Sequence, residues 1–446
     1  MKIVFRFVLG VVLVGTLQNN LNAQELLTLE EAIRIGLEQN YDIRIAENDQ
    51  DILSNNYKYG KYNFLPSINA SGFRNYDVQD IEQGRNNERG DTVIIANNAT
   101  SNQLSASIDL EWTIFDGLGM FATYDKVNEI RKAGKSNFKA VIERAIADIS
   151  EAYYTIVLEK EKVKVLENTL GLSEKRKEIA QAIFEVGRSS KLEYLAAQVD
   201  LNADVSELID QKERYHNAKV NLNRIIGRAV DVEFEVVNAI DVPQEMDIAQ
   251  LKQNLEENNP YLQVLQSNQR ITLLETKEIR AERFPEINLN TGYRYNDSES
   301  QVGFASYNVY SGYYYGVSAS IPILNGMNIT RRVQNSKIQQ ESSEIIYDQT
   351  KAALTASLNN VYLSYQNALE LLKLETENLQ IAKESEDIAY DRYTLGNANF
   401  LELREAQRNA VEAESRLIDA SYKAKIAEIE LLRITGQLLQ NTPDQN

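Results

Sequence analysis

The chain contains no cysteine and only one histidine, His216, among its 446 residues. Without a thiol it can form no disulfide, no thiolate nucleophile and no cysteine-containing metal cluster. His216 stands alone in a helical stretch, so a hydrated surface side chain is a simpler interpretation than a catalytic base or a metal ligand. We therefore expect no catalytic residue, no metal site and no cofactor, and we do not expect an enzyme.

Long apolar runs are also missing, with one short exception at the amino end. Lys2 and Arg6 flank the start of an apolar run over 7–17, and Ala23 offers a small residue for cleavage. This pattern is typical of a secretory signal peptide, here predicted over 1–23. A transmembrane anchor is the weaker alternative, because a helix of this length cannot cross about 30 Å of hydrocarbon. No later segment is apolar for long enough to predict a membrane-spanning helix.

Positive charge is scarce relative to negative charge. The chain has 47 lysines and arginines against 65 aspartates and glutamates, a formal net charge of −18. Such acidity argues against nucleic acid or an anionic membrane surface as a partner, because both repel a protein of this charge. An exported, acidic protein without disulfides is the class that remains.

Proline is absent from two very long stretches, and this absence favours helices. The six prolines lie at 66, 243, 260, 285, 322 and 443. Between 120 and 184 there is none, and apolar residues there recur at steps of three and four, as in a coiled-coil seam. This stretch, as one helix with a rise of about 1.5 Å per residue, extends roughly 100 Å. No globular core can bury such a rod, so the long helices must pack on one another.

The same series of sequence motifs occurs twice in the chain. Three pairs of glycine motifs recur 209 residues apart, at WTIFDG (112–117) and IPILNG (321–326), Gly187 and Gly396, and LNRIIG (222–227) and LLRITG (431–436). Further upstream, NFLPSINASGFR (63–74) corresponds to ERFPEINLNTGYR (282–294) at a slightly larger offset. The extra residues of the first copy fall in a polar stretch over 77–103, which we interpret as a longer loop. We therefore predict an internal tandem repeat.

The predicted organisation follows from these anchors. It is a signal peptide over 1–23, a first repeat over 24–227, an extended equatorial linker over 228–246, a second repeat over 247–436 and a tail over 437–446. The first repeat is predicted to hold a helix pair over 28–62, strands over 63–76 and 104–115, a long helix over 119–184, a hairpin tip over 186–190 and a helix over 191–226. The second is predicted to hold a helix pair over 247–281, strands over 286–296 and 307–324, a long helix over 327–393, a tip over 395–399 and a helix over 400–435.

The predicted strands alternate strictly between apolar and polar residues, as in LSASIDLEWTI (104–114). An ordinary half-buried antiparallel sheet explains this pattern, and so does a membrane-spanning strand with lipid on one face and a lumen on the other. Four strands cannot close a membrane barrel by themselves. If they span a membrane, two chains make a filled barrel of eight strands and three chains make an open one of twelve, and a conduit favours three.

The ordered set of repeats, FDG and LNG strand-to-helix turns, and VG and LG helix hairpins resembles the TolC-like outer-membrane efflux proteins, the outer membrane factors of tripartite pumps. The resemblance covers nearly all of the predicted mature chain. It implies an α+β membrane protein that forms a homotrimer in the outer membrane of a Gram-negative bacterium. In that fold four β-strands per protomer form a shared 12-stranded barrel in outer-membrane lipid, and a long periplasmic α-helical coiled-coil tunnel continues it. It also implies a periplasmic adaptor protein and an inner-membrane transporter as partners.

The resemblance also assigns site residues. The hairpin tips that would dock to the adaptor are Val186, Gly187, Arg188, Ser189, Leu395, Gly396, Asn397 and Ala398. An acidic ring at the periplasmic entrance would be formed by Glu402 and Glu405, six and nine residues after the second tip glycine. The strand-to-helix turns are Asp116, Gly117, Asn325 and Gly326. Ala398 stands where some members carry a basic latch residue, and the first repeat has Glu193 but Ala196 at the acidic positions.

Other interpretations of these features stay open at this point. The glycine turns are equally typical of ordinary helix C-caps, and Glu402 and Glu405 are equally typical of a solvated helix face. Within the same class, the chain is an exit duct for small molecules or, alternatively, for type I protein secretion. A surface coiled-coil adhesin with a short barrel anchor is the alternative from another class. It predicts one anchor at a chain end, whereas the strands here lie inside both repeats.

Overall fold

The computed structural model describes residues 25–87, 90–237, 240–241, 246–303, 305–395 and 397–440. The predicted signal peptide over 1–23, Gly396 of the second predicted tip and residues 441–446 of the predicted tail lie outside the described residues. In the described part of the chain, no helix is both long enough and apolar enough to cross a membrane.

The elements follow one another in the order that the repeat predicted, with two short strands added. They are β1 Glu25–Leu27, α1 Leu29–Gln39, α2 Tyr41–Gly60, β2 Ser67–Asn87, β3 Gly90–Asp116, α3 Gly119–Glu185, α4 Lys191–Ile226, β4 Phe234–Val236, α5 Ile248–Asn258, α6 Pro260–Ala281, β5 Glu286–Ser300, β6 Tyr307–Ser320, α7 Asn328–Thr394 and α8 Phe400–Thr435. A single turn of 3-10 helix, Lys61–Phe64, precedes β2.

The long helices correspond residue for residue in the two halves of the chain. The helices α3 and α7 each have 67 residues, and α4 and α8 each have 36. Each of α7 and α8 begins and ends 209 positions after its counterpart. A 67-residue helix is about 100 Å long. Helix starts are capped where the sequence offers asparagine, since the side chains of Asn40 and Asn259 accept bonds from the backbone of α2 and α6.

The long strands form one antiparallel sheet in the order β2-β3-β5-β6. The two hairpins differ in length, because β2 and β3 pair from Ser67 with Glu111 out to Asn87 with Gly90, whereas β5 leaves β3 at Ser101. The prediction of a polar loop over 77–103 is therefore wrong. Exposed β-branched residues such as Val93 and Ile95 sustain the ladder there, since strand formation depends on cross-strand pairing and does not require burial.

Other features of the strands also differ from the prediction. The strand β6 ends at Ser320 and not at 324, because Pro322 has no N–H to donate to the ladder. A bulge at Gln79/Ile81 interrupts the first hairpin. There Asp80 Oδ1 accepts a bond from Asn98 N over 2.7 Å, and Asn98 has a φ of 54°. Asparagine tolerates this left-handed conformation better than most residues do.

The described chain divides into two compact units that do not coincide with the two predicted repeats. One comprises the described residues within 25–39, 148–243 and 367–426, and the other comprises those within 40–147, 244–366 and 427–440. Each unit takes segments from both repeats, because the boundaries fall inside α3, α7 and α8. Pairing between repeats, and not the order of the chain, therefore defines the compact bodies.

The first unit holds the helix hairpins and a small parallel sheet. The strand β1 pairs with β4, with Leu27 opposite Val236. Leu27, Phe234 and Ile149 are fully buried, and Tyr153 Oη donates to Leu27 O over 3.2 Å. The linker over 228–246, predicted to be extended, therefore contains a strand whose partner is the beginning of the predicted mature chain.

The second unit holds the four-stranded sheet and the short helices α2, α5 and α6. Its core includes Leu255 and Ile434, and Asn259 Nδ2 donates to Ile434 O over 2.8 Å. The buried Glu143 carboxylate accepts bonds from Leu438 N and Leu439 N at 3.0 and 3.1 Å. This carboxylate therefore fastens the end of the described chain to α3.

Candidate functional site: the two helix hairpins

The first hairpin joins α3 to α4 through residues 186–190. Arg188 N donates to Ile183 O over 3.0 Å, and Gly187 N donates to Phe184 O over 2.9 Å. These bonds satisfy the last carbonyls of the helix, which have no partner within it. Gly187 has a φ of +74° and open space where a Cβ would be. The turn therefore needs glycine for its backbone conformation and not for room.

The second hairpin joins α7 to α8, and the backbone bonds of its described residues correspond to bonds of the first hairpin 209 residues earlier. Asn397 N donates to Arg392 O over 2.8 Å, as Arg188 N does to Ile183 O. Leu395 N donates to Asp391 O over 3.1 Å. Gly396 itself lies outside the described residues. Both turns predicted from the VG and LG motifs are therefore present as helix hairpins.

Glu402, predicted to belong to an acidic ring, is held by its own hairpin. Its Oε1 lies 2.5 Å from Arg392 Nη1, near the end of α7. Arg392 Nη2 also donates to Asn397 O over 3.3 Å, and Asn399 Oδ1 accepts a bond from Glu402 N over 2.8 Å. One arginine therefore ties the tip backbone and the first turn of α8 together.

Glu405, the second predicted member of the ring, lies one turn further along α8. Its carboxylate is 2.7 Å from Arg408 Nη2, and both side chains are more than half exposed. Glu402 and Glu405 line one open groove of about 510 Å³ between α7 and α8, beside Ile388. The structure therefore brings the two predicted glutamates to one surface of the hairpin.

An apolar cluster packs the two hairpins against each other just behind the tips. It draws on α3, α4, α7 and α8 and comprises Ala180, Ala197, Ala389, Tyr393, Phe400, Leu403 and Ala406. Ala398, where the resemblance expects a basic residue in some members, packs against this cluster. Burial raises the pKa of Tyr393. The space between the hairpins just behind the tips is therefore filled by small, aliphatic and aromatic side chains.

A buried ionic network crosses the same hairpins further from the tips. The Arg176 side chain of α3 is 6% exposed, and its Nη1 donates to Gln407 Oε1 of α8 over 2.6 Å. Asp200 of α4 lies 3.6 Å from Arg176 Nη2 and 3.0 Å from Arg404 Nη2 of α8. Asp204 accepts a bond from Ser173, which in turn accepts one from Arg176.

Burial and the neighbouring charges have opposing effects on the buried arginine of this network. Burial lowers the pKa of Arg176, and the charges of Asp200 and Asp204 act in the opposite direction. A guanidinium stays protonated under such opposing effects. Sequence reasoning missed this network, because charged residues at helical spacing look like a solvated face.

Exposed aliphatic side chains surround both tips. Val186 and Leu395, predicted as tip residues, are 70% and 74% exposed. Leu192 and Leu401 are 74% and 67% exposed, one residue into the first turns of α4 and α8. These two leucines were not predicted, although their 209-residue separation is visible in the sequence. These exposed aliphatic groups make the tips a candidate contact surface.

The predicted strand-to-helix turns lie in the other compact unit. Gly117 and Gly326 have φ angles of +71° and +62°, and Leu118 and Met327 follow with φ of 69° and 62°. Two consecutive left-handed residues are needed at each turn, and only the first was predicted. A Cβ on Gly117 would collide with the backbone oxygen of Ala281. Asp116 and Asn325 line a single cavity of about 380 Å³.

Within the described residues, no group of histidine, cysteine, aspartate and glutamate side chains is arranged to hold a metal ion. Three features remain to be explained. They are the two packed helix hairpins, the exposed aliphatic side chains at their tips, and the sheet whose two edge strands are each unpaired on one side. A model of the outer membrane efflux protein family matches residues 32–228 and 251–437. The chain belongs to the outer membrane efflux protein family.

Curated relatives agree with this assignment. The toluene efflux pump outer membrane protein TtgC of Pseudomonas putida is 21% identical over 411 residues, which are 92% of this chain and 82% of that protein. The cation efflux system protein CusC of Escherichia coli is 21% identical over 416 residues, 90% of this chain and 84% of that protein. As a family member, this outer membrane efflux protein functions in efflux at the outer membrane.

The fold is that of solved outer-membrane channels. The Campylobacter jejuni CmeC outer membrane channel aligns with a TM-score of 0.75 and 15% sequence identity over 92% of this chain and 85% of that one. The family match covers both halves of the chain and does not favour the alternative of a surface adhesin.

Proposed function

We propose that three copies of the chain form the exit duct of a tripartite efflux system. In this proposal small molecules pass from an inner-membrane pump and a periplasmic adaptor through a helical tunnel and a 12-stranded barrel to the exterior. The duct is passive and carries out no enzymatic reaction. The three chains therefore enclose a lumen, bind the adaptor and admit solutes.

The observation that carries the proposal is a sheet with two open edges and one apolar exposed face. The strands β2 and β6 are the edges of the sheet. Tyr313 and Tyr315 of β6 are 85% and 87% exposed, and Val317 on the same face is also exposed. An unpaired edge strand and a bare aromatic face are both unfavourable in water. Pairing with the sheets of further copies, in lipid, removes both.

The helices support the same assembly. Leu374, Ile381 and Ile388 of α7 are each more than half exposed and are spaced by seven residues. Apolar residues at heptad spacing pack against another helix in a coiled coil. These residues supply such a seam for a neighbouring copy, as a tunnel wall built from three chains requires.

The tips are proposed as the adaptor-docking surface. Val186, Leu192, Leu395 and Leu401 present aliphatic groups at equivalent positions of the two hairpins. Three copies supply six such tips around one axis. An adaptor that offers apolar side chains of its own would bury these groups, and each fully buried aliphatic side chain contributes about 1.5–3 kcal/mol.

Glu402 and Glu405 are proposed to form the acidic ring at the entrance. Both are paired with arginines of the same chain, so their charge is partly balanced. Replacing both with glutamine is expected to weaken block by divalent cations in planar bilayers, because fewer carboxylates remain to attract them. Replacement of Glu430, which lies near the other end of α8 and pairs with Arg433, is the control. Unchanged block and selectivity would contradict the acidic ring but would not contradict the proposed duct.

The assembly itself is tested on the purified, unheated mature chain in detergent. Chemical cross-linking and mass measurement are expected to give three chains per particle. Reconstituted particles are expected to conduct ions across a planar bilayer. A monomer that stays in solution without detergent would contradict the shared barrel, since its four strands would then form an ordinary sheet.

A further inference from the structure

Three polar side chains meet on the face of the sheet opposite the exposed tyrosines. Asp109 of β3 is directly opposite Gly292 of β5, which is directly opposite Tyr314 of β6. Arg294 lies two residues along β5, on the same face. Asp109 and Tyr314 are partly buried, and Arg294 is exposed. In an assembled barrel whose apolar face meets lipid, this polar face lines the lumen.

Gly292 allows Tyr314 to lie flat across the intervening strand. A Cβ at this position would be 2.4 Å from the backbone oxygen of Ile108, 2.9 Å from Tyr314 Cε1 and 3.0 Å from Tyr314 Oη. The phenol therefore occupies the space that any other residue would fill. It reaches past β5, and its hydroxyl donates a hydrogen bond to Asp109 Oδ1.

Asp109 is held from a second side as well. Ser107 Oγ donates to Asp109 Oδ2 over 2.5 Å. The Arg294 guanidinium carbon lies 5.1 Å from the centre of the Tyr314 ring, within the range of a cation–π contact. Tyr314 therefore touches an anion at one end and a cation on its face, and both charges keep fixed positions on the wall.

The cluster is built into the sheet but is not part of an apolar core. Glu111 lies on the same face two residues from Asp109 and is exposed. Each chain therefore contributes two carboxylates and one guanidinium to a short length of wall. A charged ring around a pore attracts ions of opposite sign and repels those of like sign.

We propose that Asp109 and Arg294, with the Asp109 carboxylate positioned by Tyr314 across Gly292, form a charged belt in the barrel that sets the ion preference of the exit. The inference rests on the proposed function, because the belt exists only if the strands close around a lumen. It is separate from the entrance glutamates, which belong to the helix hairpins. Its ligands are inorganic cations and the cationic groups of transported solutes.

The first test compares two substitutions of opposite charge. Reversal potentials are measured in planar bilayers with KCl near 0.01 M, where electrostatic screening acts only beyond about 30 Å. Asp109→Asn is expected to lower the permeability of K⁺ relative to Cl⁻ by about twofold, and Arg294→Gln to raise it by a similar factor, since the two changes shift the wall charge in opposite directions.

The matched control for these substitutions lies on the opposite face of the same strands. Asp297 of β5 is opposite Leu104, so Asp297→Asn removes a carboxylate from β5 without touching the polar face. It is expected to leave the permeability ratio unchanged. A ratio that responds to Asp297→Asn as strongly as to Asp109→Asn would overturn the belt, because the effect would then not depend on the face.

The second test separates positioning from simple loss of structure. Tyr314→Phe removes the hydroxyl that binds the Asp109 carboxylate and keeps the ring. It is expected to raise the K⁺ preference in the wild-type background, because the carboxylate is then less neutralised. It is expected to have no effect beside Asp109→Asn. An equal effect in both backgrounds would contradict the positioning role of Tyr314.

The outcomes distinguish this belt from the duct itself. A wild-type chain that forms no trimer and no channel overturns the proposed function and the belt together. If the chain forms a trimeric channel but neither Asp109→Asn nor Arg294→Gln changes its ion preference, the belt alone is overturned.

Discussion

The two helix hairpins agree in their helix lengths and turn bonds but differ in the side chains that are buried between their helices. Their helices have equal lengths, and their turns are closed by the same bonds 209 residues apart. In the first hairpin, however, Arg176, Asp200 and Asp204 carry the buried ionic network. The equivalent positions of the second hairpin hold Ser385, Asn409 and Ala413. The two hairpins thus share helix lengths and turn bonds, whereas the contacts between hairpins depend on side chains that differ.

The tips differ in the same way. Glu193 and Glu402 are equivalent positions, each in the first turn of its helix. Glu193 accepts a bond from Ser189 of its own tip, whereas Glu402 is paired with Arg392 at the end of the preceding helix. The position equivalent to Arg392 is Ile183. Among the described residues of the two tips, an ion pair across the turn is present at the second tip and not at the first.

The largest expected effect concerns the buried network. Arg176→Met leaves Asp200 and Asp204 without their buried cation, and removing one partner of a buried pair costs about 3–5 kcal/mol. The apparent thermal midpoint, followed by far-UV circular dichroism, is expected to fall markedly. Asp200→Asn added to Arg176→Met is expected to restore part of the loss.

Ser385→Met is the control at the equivalent position of the second hairpin. Ser385 is exposed, so a change within about 0.5 kcal/mol is expected. Equal stability of Arg176→Met and the wild type would show that the network contributes nothing to the packing of the hairpins.

The next effect concerns the turn backbone. Gly187→Ala places a Cβ on a residue with a φ of +74°, which costs about 1–2 kcal/mol for an L-residue. Gly171→Ala, inside α3 with open space around it, is the matched substitution and is expected to stabilise the helix by about 0.5–1 kcal/mol. The thermal midpoints of the two variants should therefore move in opposite directions. Shifts of the same sign would contradict the proposed need for glycine at the tip.

A smaller effect concerns the ion pair between Arg392 and Glu402 at the second tip. Arg392→Ala removes the partner of Glu402, and because both side chains are partly exposed the loss is at most about 1 kcal/mol. Backbone amide exchange is expected to accelerate over 397–402 and to stay unchanged over 186–193. Acceleration at both tips would mean that Arg392 stabilises the whole end of the hairpins and not its own turn.

The smallest effect is a pH dependence confined to the second hairpin. Burial raises the pKa of Glu386, and the neighbouring Asp387 and Glu414 act in the same direction. A carboxyl whose folded pKa is raised stabilises the fold below its unfolded pKa, and this contribution is lost as the pH rises through the folded value. Glu386→Gln, which mimics the protonated form, is therefore expected to raise the thermal midpoint at neutral pH and to have no effect well below pH 4.5.

Lys177 occupies the equivalent position of the first hairpin and provides the control for this prediction. Lys177→Gln is expected to show no such pH dependence. A stabilisation by Glu386→Gln that persists unchanged in acid would contradict the role of the buried carboxyl, because Gln and protonated Glu should then be equivalent.

Features that repeat along the chain, or that glycine and proline mark, are the ones that a sequence indicates directly. The long helices, their turns and the 209-residue offset follow from glycine, proline and apolar spacing, which act over a few neighbouring residues. The prediction of a loop for the outer half of the β2–β3 hairpin is wrong, because its polar composition is typical of a loop whereas β-branched residues such as Val93 and Ile95 pair across the hairpin. The strand β4 was missed because a three-residue strand has no period of its own and forms only against β1.

The sequence by itself determined the helix lengths, the two glycine turns and the alternation of the strands, since each depends on residues close together in the chain. Only the tertiary structure decided which charges are buried, that Arg392 reaches Glu402 across the tip, and that Tyr314 reaches Asp109 across Gly292. These contacts join residues from separate elements. Their energies depend on exclusion of water and on sub-ångström fit, and no local pattern in a chain encodes which distant side chain will occupy a given space.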